Sequence, residues 1–146
     1  HVLRAEKGFI IVGQETDGTV TPIDLGMDWI VSKQKDFVGR RSLTRSESVR
    51  SDRKQLVGLL TEDPKEILPE GAQLVFDPSA PIPMPMCGHV TSSYWSPNCE
   101  RSIALALVKG GLGKKGETVH APLIGRTVRA TIVDPVFFDP ENKRRD

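Results

Sequence analysis

The sequence predicts a mainly β fold, in which a closed or sandwich-like β domain follows a small α+β segment. Short apolar stretches that alternate with polar residues recur at spacings of about 10–15 residues, which is typical of all-β domains. Turn-forming residues separate these stretches, with 11 Pro and 13 Gly in 146 residues. No long stretch repeats apolar residues at the period of an amphipathic helix.

The first part of the chain mixes helix and strand signals. Residues 3–6 resemble the last turn of a helix that stops at Gly8. Phe9–Val12 is apolar throughout and predicts a short buried strand. Residues 27–33 alternate apolar and polar, which indicates a half-buried strand, and residues 36–46 allow one short helix.

A polar stretch divides the chain. Residues 44–54 contain a single aliphatic side chain, so they cannot bury a face. We therefore expect a first domain at residues 1–46, a linker at 47–54 and a second domain at 55–146.

The second domain is predicted to contain six strands. The proline-rich stretch at 78–86 excludes a helix between the second and third strands. The glycines from Gly110 to Gly116 are expected to close a β-hairpin. The strands are predicted at 55–61, within 68–77, at 87–96, within 101–111, and on either side of the turn at 124–126.

Composition excludes several classes of function. The formal net charge of +1 does not favour a nucleic-acid partner, and no apolar run is long enough to predict a membrane span. Without an export signal, Cys87 and Cys99 are expected to be reduced thiols in a cytoplasmic protein. His89 is the only nearby partner for them, at the wrong spacing for zinc, so no metal site is predicted. Because the chain starts at His1 rather than Met, we expect a piece of a longer polypeptide.

Few side chains are candidates for chemistry. Glu6 stands between a helix end and an apolar stretch, where it either pairs with Arg4 or Lys7 at the surface or lines a pocket. In a pocket, its carboxylate would accept two parallel hydrogen bonds from a planar N–C–N donor edge. Asp17 and Asp24 are expected to be turn residues.

Other polar and aromatic residues are assigned ordinary roles. Ser92, Ser93 and Ser96 lack a local His and Asp and the G-x-S-x-G pattern, which excludes serine hydrolase chemistry. Tyr94 and the following Trp are expected to face opposite sides of a strand. Basic residues such as Arg53 are expected to be solvated, with a docking or anion-steering surface as the alternative. No catalytic residue is predicted.

Five stretches, taken in order, are similar to the C-terminal half of the glycine-cleavage T-protein (aminomethyltransferase) family. They are LRAEKGFIIVGQETDGTVTPIDLGMDWIVSK, DFVGRRSL, LVGL, GHVTSSYWSP and SIALALV, and they cover roughly residues 3–138. Within the family, the branch formed by the α subunits of heterotetrameric sarcosine oxidases resembles the chain most. Lys7 and Ile11-Val12 stand where aminomethyltransferases proper have Ala and Leu-Tyr.

The resemblance implies a Greek-key-like β-barrel of the aminomethyltransferase type, preceded by a remnant of the folate-binding domain. It implies that Glu6, in the family's L-R-x-E motif, holds the pterin ring of tetrahydrofolate. A basic residue after Trp29 contacts ligand in the family, and Lys33 and Lys35 are the candidates here.

The resemblance also implies a parent enzyme. That enzyme would oxidise sarcosine to glycine at a flavin in another subunit and capture the one-carbon unit as 5,10-methylenetetrahydrofolate. FAD, FMN and NAD are expected elsewhere in the complex, and the partners are the rest of the α subunit and the other subunits.

Two alternatives stay open. The chain is a piece of an aminomethyltransferase or of a dimethylglycine-oxidising enzyme, or it is a non-catalytic barrel for subunit contact in which Glu6 is incidental. Residues 1–43 are expected either to be partly disordered or to fold back on the barrel.

Overall fold

The computed structural model of the chain describes residues 1–144, and its main feature is a closed six-stranded antiparallel barrel. Residues 145–146, the last two of the predicted second domain, lie outside the described residues. The order of strands around the barrel is β1-β4-β3-β2-β5-β6. The strands are β1 (Lys54–Thr61), β2 (Gln73–Val75), β3 (Met86–Ser96), β4 (Arg101–Lys109), β5 (Thr118–Leu123) and β6 (Arg126–Val133).

The strand connections form a Greek key. Strands β2, β3 and β4 make an antiparallel meander, and the chain then returns to the far side of β2, where β5 pairs. This spatial order of β5, β2, β3 and β4 defines the motif. The mainly β, Greek-key-like prediction is therefore confirmed. The predicted hairpin at Gly110–Gly116 is wrong, because β4 pairs with β1 and β3 while β5 pairs with β2 and β6.

β4 is buried on both faces, because both the barrel interior and the N-terminal residues pack against it. Its inward residues, Ala104, Ala106 and Val108, belong to the interior core. The alternate residues Ile103, Leu105 and Leu107 belong to a second apolar cluster on the outside. Ala5, Ile10, Val20 and Leu25 from the N-terminal segment also belong to that cluster.

Residues 1–25, which we call the docked segment, therefore fold back on the outer face of the barrel. This matches one of the two expectations for the start of the chain. Burial on both sides also explains why residues 103–108 are apolar without alternation.

The first 46 residues contain less regular structure than predicted. The expected helical turn is present as α1 (Val2–Glu6), and Gly8 follows it with a φ of +69°. The predicted strand at Phe9–Val12 is wrong: it forms one isolated bridge, from Val12 to Thr16, and Phe9 is 63% exposed. A strand needs a hydrogen-bonded neighbour, and the described residues supply none there.

Two further segments form only short 3-10 helices. The predicted strand at 27–33 is a 3-10 turn, Asp28–Ile30, and Trp29 is 76% exposed. The short helix expected within 36–46 is present, as a 3-10 helix at Arg40–Thr44. Both lack a partner surface among the described residues, and short elements depend on packing for their stability. None of the helices in residues 1–144 has the length and apolarity to cross a membrane.

The segment after β6 closes over α1. The backbone N–H groups of Phe137 and Phe138 donate to the Glu6 carbonyl oxygen at 2.8 and 3.0 Å. The Lys7 ammonium donates to the Asp139 carbonyl oxygen at 2.5 Å. Gly8 lies so close that an added Cβ would stand 2.7 Å from the Pro135 carbonyl oxygen. The helix end is thus fixed to the chain that leaves the barrel.

We expect Gly8→Ala to lower the free energy of unfolding by about 2 kcal/mol or more, as measured by urea denaturation. A left-handed backbone conformation costs a non-glycine residue roughly 1–2 kcal/mol, and the contact with Pro135 adds to that cost. Gly18→Ala is the control: its Cβ meets nothing within 4 Å, so the change should stay within about 0.5 kcal/mol. Equal effects of the two substitutions would contradict this account.

Candidate functional site

Glu6 lies at the end of α1 with its carboxylate against the barrel. The residue is only 2% exposed. Oε1 accepts a hydrogen bond from the Ser96 hydroxyl at 2.5 Å, and Oε2 accepts one from Asn98 Nδ2 at 2.8 Å. Glu6 therefore neither lies at the surface nor pairs with Arg4 or Lys7, and that interpretation is wrong. The pocket interpretation of this carboxylate stays a prediction.

One face of β3 receives the polar side chains of the docked segment. Ser92, Tyr94 and Ser96 point outward together because side chains alternate along a strand. Ser92 contacts Arg4 and Glu15, the Tyr94 ring lies below the Arg4 guanidinium, and Ser96 contacts Glu6. The prediction that Tyr94 and Trp95 face opposite sides is confirmed, since Tyr94 is half-buried and Trp95 is exposed.

Glu15 accepts four hydrogen bonds through its side chain, and the sequence did not single it out. It is fully buried. Its Oε2 accepts from Arg4 Nη1 at 2.9 Å and from the Ile11 backbone N–H at 2.8 Å. Its Oε1 accepts from the hydroxyls of Thr91 and Ser92 at 2.9 and 2.6 Å. All the donors that a buried carboxylate needs are therefore present.

An irregularity in β3 makes this arrangement possible. Adjacent residues of a regular strand point to opposite faces, yet both Thr91 and Ser92 donate to one oxygen of Glu15. The pairing of β3 with β4 shifts between Val90 and Ser92, which leaves Thr91 as an extra residue. Such bulges re-aim side chains. The bulge brings a second hydroxyl to the carboxylate.

The hydrogen bonds to Glu15 decide its ionisation. Burial by itself would raise the pKa of this carboxyl, because desolvation penalises the charged form. The donors Ser92, Ile11, Thr91 and Arg4 act in the opposite direction and together hold the pKa of Glu15 below its usual value of 4.5. The side chain is therefore a carboxylate at neutral pH, paired with the Arg4 guanidinium.

Asp24 and Arg53 form a second buried ion pair. Arg53 Nη2 lies 2.6 Å from Asp24 Oδ2, and the Arg53 side chain is only 19% exposed. The prediction that Arg53 is solvated is therefore wrong. Asp24 is a turn residue, as expected, since Oδ2 also accepts from the Thr21 backbone N–H at 2.9 Å. Burial would raise the pKa of Asp24, but the bonds from Arg53 and Thr21 bring that pKa below its usual value.

Lys33 and Lys35 lie apart from Glu6. Both residues are exposed, and no ion pair or side-chain hydrogen bond is formed by either within residues 1–144. Lys35 lines an open apolar cleft of about 390 Å³, with Pro22, Ile30 and Phe37 among its neighbours. Neither Glu6 nor its partners Ser96 and Asn98 line that cleft. The contacts therefore do not bring the three candidate ligand residues together.

The remaining candidates behave as ordinary structural residues. Ser92 and Ser96 donate to carboxylates, while the buried Ser93 hydroxyl has no partner within the described residues. Cys87 and Cys99 are free thiols. Within residues 1–144, no group of three or more His, Cys, Asp or Glu side chains is arranged to hold a metal ion.

Sequence reasoning missed Glu15 because its partners are distant in the chain. Thr91 and Ser92 stand 76 and 77 residues away from it. The only local signal was the opposite charge of Arg4 and Glu15 on either side of an apolar stretch. Such a pattern is common on solvated surfaces and does not by itself predict a buried pair.

Residues 54–139 match the family model for the glycine cleavage T-protein C-terminal barrel domain. The whole chain is 55% identical, over 148 aligned residues, to the sarcosine oxidase subunit alpha of Corynebacterium sp. (strain P-1), of which it spans 15%. It is 36% identical over 138 residues to the aminomethyltransferase of Methylococcus capsulatus. This alignment covers 92% of the present chain and 35% of that protein.

A solved structure confirms the likeness of fold. The crystal structure of glycine cleavage system aminomethyltransferase T from Bartonella henselae superposes with a TM-score of 0.79. The superposition covers 95% of this chain and 38% of that one, at 24% sequence identity.

We expect Glu15→Gln to lower the free energy of unfolding at pH 7 by about 3 kcal/mol. The substitution leaves the Arg4 guanidinium without its counter-ion in a largely buried position, which is far costlier than losing an exposed pair. Urea denaturation measures the change. Glu117→Gln is the matched control, because it breaks the exposed pair with Lys114 and should cost less than about 0.5 kcal/mol.

The stabilisation by Glu15 should depend on pH. Because the pKa of Glu15 is lower in the folded state, its contribution is complete well above pH 4.5 and is lost as pH falls through the folded pKa. The difference in unfolding free energy between the wild type and Glu15→Gln should therefore shrink below about pH 4.5. Urea denaturation of both proteins from pH 7 down to pH 3 tests this, and a constant difference would contradict it.

Proposed function

The chain belongs to the glycine cleavage T-protein family through its C-terminal barrel, and from this premise we propose that it is part of a sarcosine oxidase α subunit. The observation that carries the proposal is the 55% identity to such a subunit over the whole chain. The chain spans about 15% of the length of that relative, so the catalytic centre of the parent lies largely in other residues.

The proposed reaction is the oxidative demethylation of sarcosine to glycine, with transfer of the one-carbon unit to tetrahydrofolate. This chain contributes one wall of the folate site and packs the barrel against the rest of the assembly. FAD, FMN and NAD belong to other parts of the complex. The division into residues 1–46, 47–54 and 55–146 is part of the same proposal, with the first part as the end of the folate-binding domain.

The donors and acceptors around Glu6 fit a folate ligand. An ionised carboxylate offers about four lone-pair positions on its two oxygens. Ser96 and Asn98 use one position on each oxygen, so each oxygen keeps at least one more for an N–H donor, and Oε2 keeps two if Asn98 moves away. A pterin ring presents such a donor edge through its ring N–H and its 2-amino group. Glu6 is therefore the residue of this chain that would hold the ring.

Tetrahydrofolate, when bound, supplies the nucleophilic nitrogen that accepts the one-carbon unit. The residues described here contribute positioning, since Glu6 is fixed by its carbonyl oxygen and by both carboxylate oxygens. Glu6 is only 2% exposed, so little water reaches the carboxylate in this structure. Lys33 and Lys35 stay candidates for contact with a more distant part of the ligand.

The exposed apolar side chains outside the barrel support a larger assembly. Phe9, Val12, Trp29 and Val38 are all well exposed, and the last of these lines the open cleft. Contiguous exposed apolar groups mark contact surfaces, and the cleft brings Val38 together with Ile30 and Phe37. The partners proposed for these surfaces are the remainder of the α subunit and the other subunits.

An aminomethyltransferase is the second candidate, and the identity of 36% to one such enzyme favours it less than 55% favours the oxidase. Sarcosine separates the two. The parent protein, purified with its partner subunits, should reduce its flavin when sarcosine is added without oxygen. A parent that lacks flavin reduction but transfers an aminomethyl group would support the transferase.

We expect Glu6→Gln in the assembled enzyme to weaken the binding of tetrahydrofolate by about 10- to 100-fold. A hydrogen bond to a charged group is worth roughly 1.5–3 kcal/mol, and the amide replaces one acceptor oxygen with a donor. Flavin reduction by sarcosine should stay unchanged, because it needs no folate. Isothermal titration calorimetry and anaerobic stopped-flow absorbance measure the two quantities.

The matched control for this test is Glu62→Gln, an exposed carboxylate that lies 3.9 Å from the Arg129 guanidinium. It should change neither folate affinity nor flavin reduction. Unchanged folate affinity in Glu6→Gln would refute the folate role and favour the non-catalytic barrel.

A further inference from the structure

We infer, on the basis of the folate role proposed for Glu6, that Ser96 positions the Glu6 carboxylate and that Asn98 is a movable cover over it. Both side chains come from the end of β3 and the turn that follows. Each donates to a different oxygen of the same carboxylate, but the two donors differ in burial and in the constraints on their backbone.

Ser96 is fixed. It is fully buried at the last position of β3 and is paired with Arg101 of β4. Its Oγ accepts the Cys99 backbone N–H at 3.0 Å and donates its single proton to Glu6 Oε1 at 2.5 Å. A hydroxyl whose acceptor position is occupied has little freedom to turn its proton elsewhere. Ser96 thus provides a donor of defined direction.

The Glu6 backbone is fixed by a separate set of contacts. Its carbonyl oxygen accepts from two backbone N–H groups of the segment after β6, and Ala5 packs in the outer cluster. These contacts place the Cα but leave the side-chain torsions open. The bond to Ser96 then selects one orientation of the carboxylate, which is the function of a positioning residue.

Asn98 differs from Ser96 because it is exposed. It lies in the turn between β3 and β4, outside the paired strands, and its Nδ2 donates to Glu6 Oε2 at 2.8 Å. Glu6 is nevertheless almost completely buried. A planar donor edge can reach the carboxylate only after a neighbouring group moves, and the Asn98 side chain is the exposed neighbour.

Displacement of Asn98 costs little in hydrogen bonds. The Asn98 amide gives the carboxylate one N–H donor, and an arriving amino group gives it another of the same kind. The released amide is solvated at the surface. In the absence of ligand, Asn98 keeps the carboxylate paired, which avoids the cost of a buried charge without donors.

The two residues should therefore respond in opposite ways to substitution. Loss of the Ser96 hydroxyl should weaken the binding of folate, because the carboxylate loses its orientation. Loss of the Asn98 amide should speed association and leave affinity equal or tighter, because no cover must be displaced. A purely structural role for both residues predicts the same direction for both.

The test uses the assembled parent enzyme with 5-formyltetrahydrofolate as the stable probe. Dissociation constants and association rates are measured for Ser96→Ala, Asn98→Ala and Glu6→Gln. Ser93→Ala is the matched control, since it removes another buried hydroxyl of β3, one without a hydrogen-bond partner in the described structure. Ser96→Cys, which keeps a weak donor, is added in case Ser96→Ala fails to fold, and urea denaturation reports on folding.

We expect Ser96→Ala to lower the affinity for the probe about ten-fold and Ser96→Cys to lower it less. Ser93→Ala should bind the probe with the affinity of the wild type. In a Glu6→Gln background, Ser96→Ala should add no further loss. Flavin reduction by sarcosine should be normal in the Ser93→Ala control, which verifies that the enzyme is assembled. The probe should associate several-fold faster with the Asn98→Ala enzyme than with the wild type.

Each contrary result has its own meaning. The positioning role of Ser96 is wrong if both Ser96 variants bind the probe as tightly as Ser93→Ala does. The proposed folate site still stands in that case, provided that Glu6→Gln lowers the affinity for the probe. If Asn98→Ala lowers the affinity for the probe or slows its association, Asn98 is not a movable cover over the carboxylate. If Glu6→Gln binds the probe normally, the proposed folate site itself is wrong.

Discussion

The buried ion pair between Arg4 and Glu15 is the interaction on which the other features depend. The two side chains meet at 2.9 Å on the outside of the barrel, and Thr91 and Ser92 supply the hydroxyl donors that make a buried carboxylate tolerable. Helix α1 has only five residues, too few to be stable by itself. The ion pair holds it on β3, and the position of Glu6 two residues later follows from that attachment.

β3 therefore serves two purposes at once. Its inward residues, including Val90, complete the core, while its outward residues bind the polar groups of the docked segment. The bulge at Thr91 adds one hydroxyl and shifts the alternation by one residue, so that Ser92 and Ser96 face outward although Val90 faces the core. The wall of the barrel is in this way also the wall of the candidate site. A substitution on the outer face of β3 should affect the site more than the core.

Two other attachments make the docked segment and the barrel one unit. The pair between Asp24 and Arg53 closes the loop just before β1, and the segment after β6 bonds to the Glu6 carbonyl oxygen. Glu6 is thus fixed by residues from both ends of the chain. This joint construction accords with the proposed function, in which the remnant of a folate-binding domain and the barrel shape a single ligand site.

The sequence by itself determined the strands of the barrel, because alternation and turn residues are local signals, and the resemblance made Glu6 a candidate ligand residue. It did not determine that Phe9–Val12 and residues 27–33 lack strand structure, since a strand depends on a neighbour that the described residues do not supply. The ion pairs of Glu15 and Asp24 were decided only by the tertiary structure. Arg53 lies 29 residues from Asp24, and the donor Ser92 lies 77 residues from Glu15. A charged residue in a turn has the same local pattern whether it is solvated or buried.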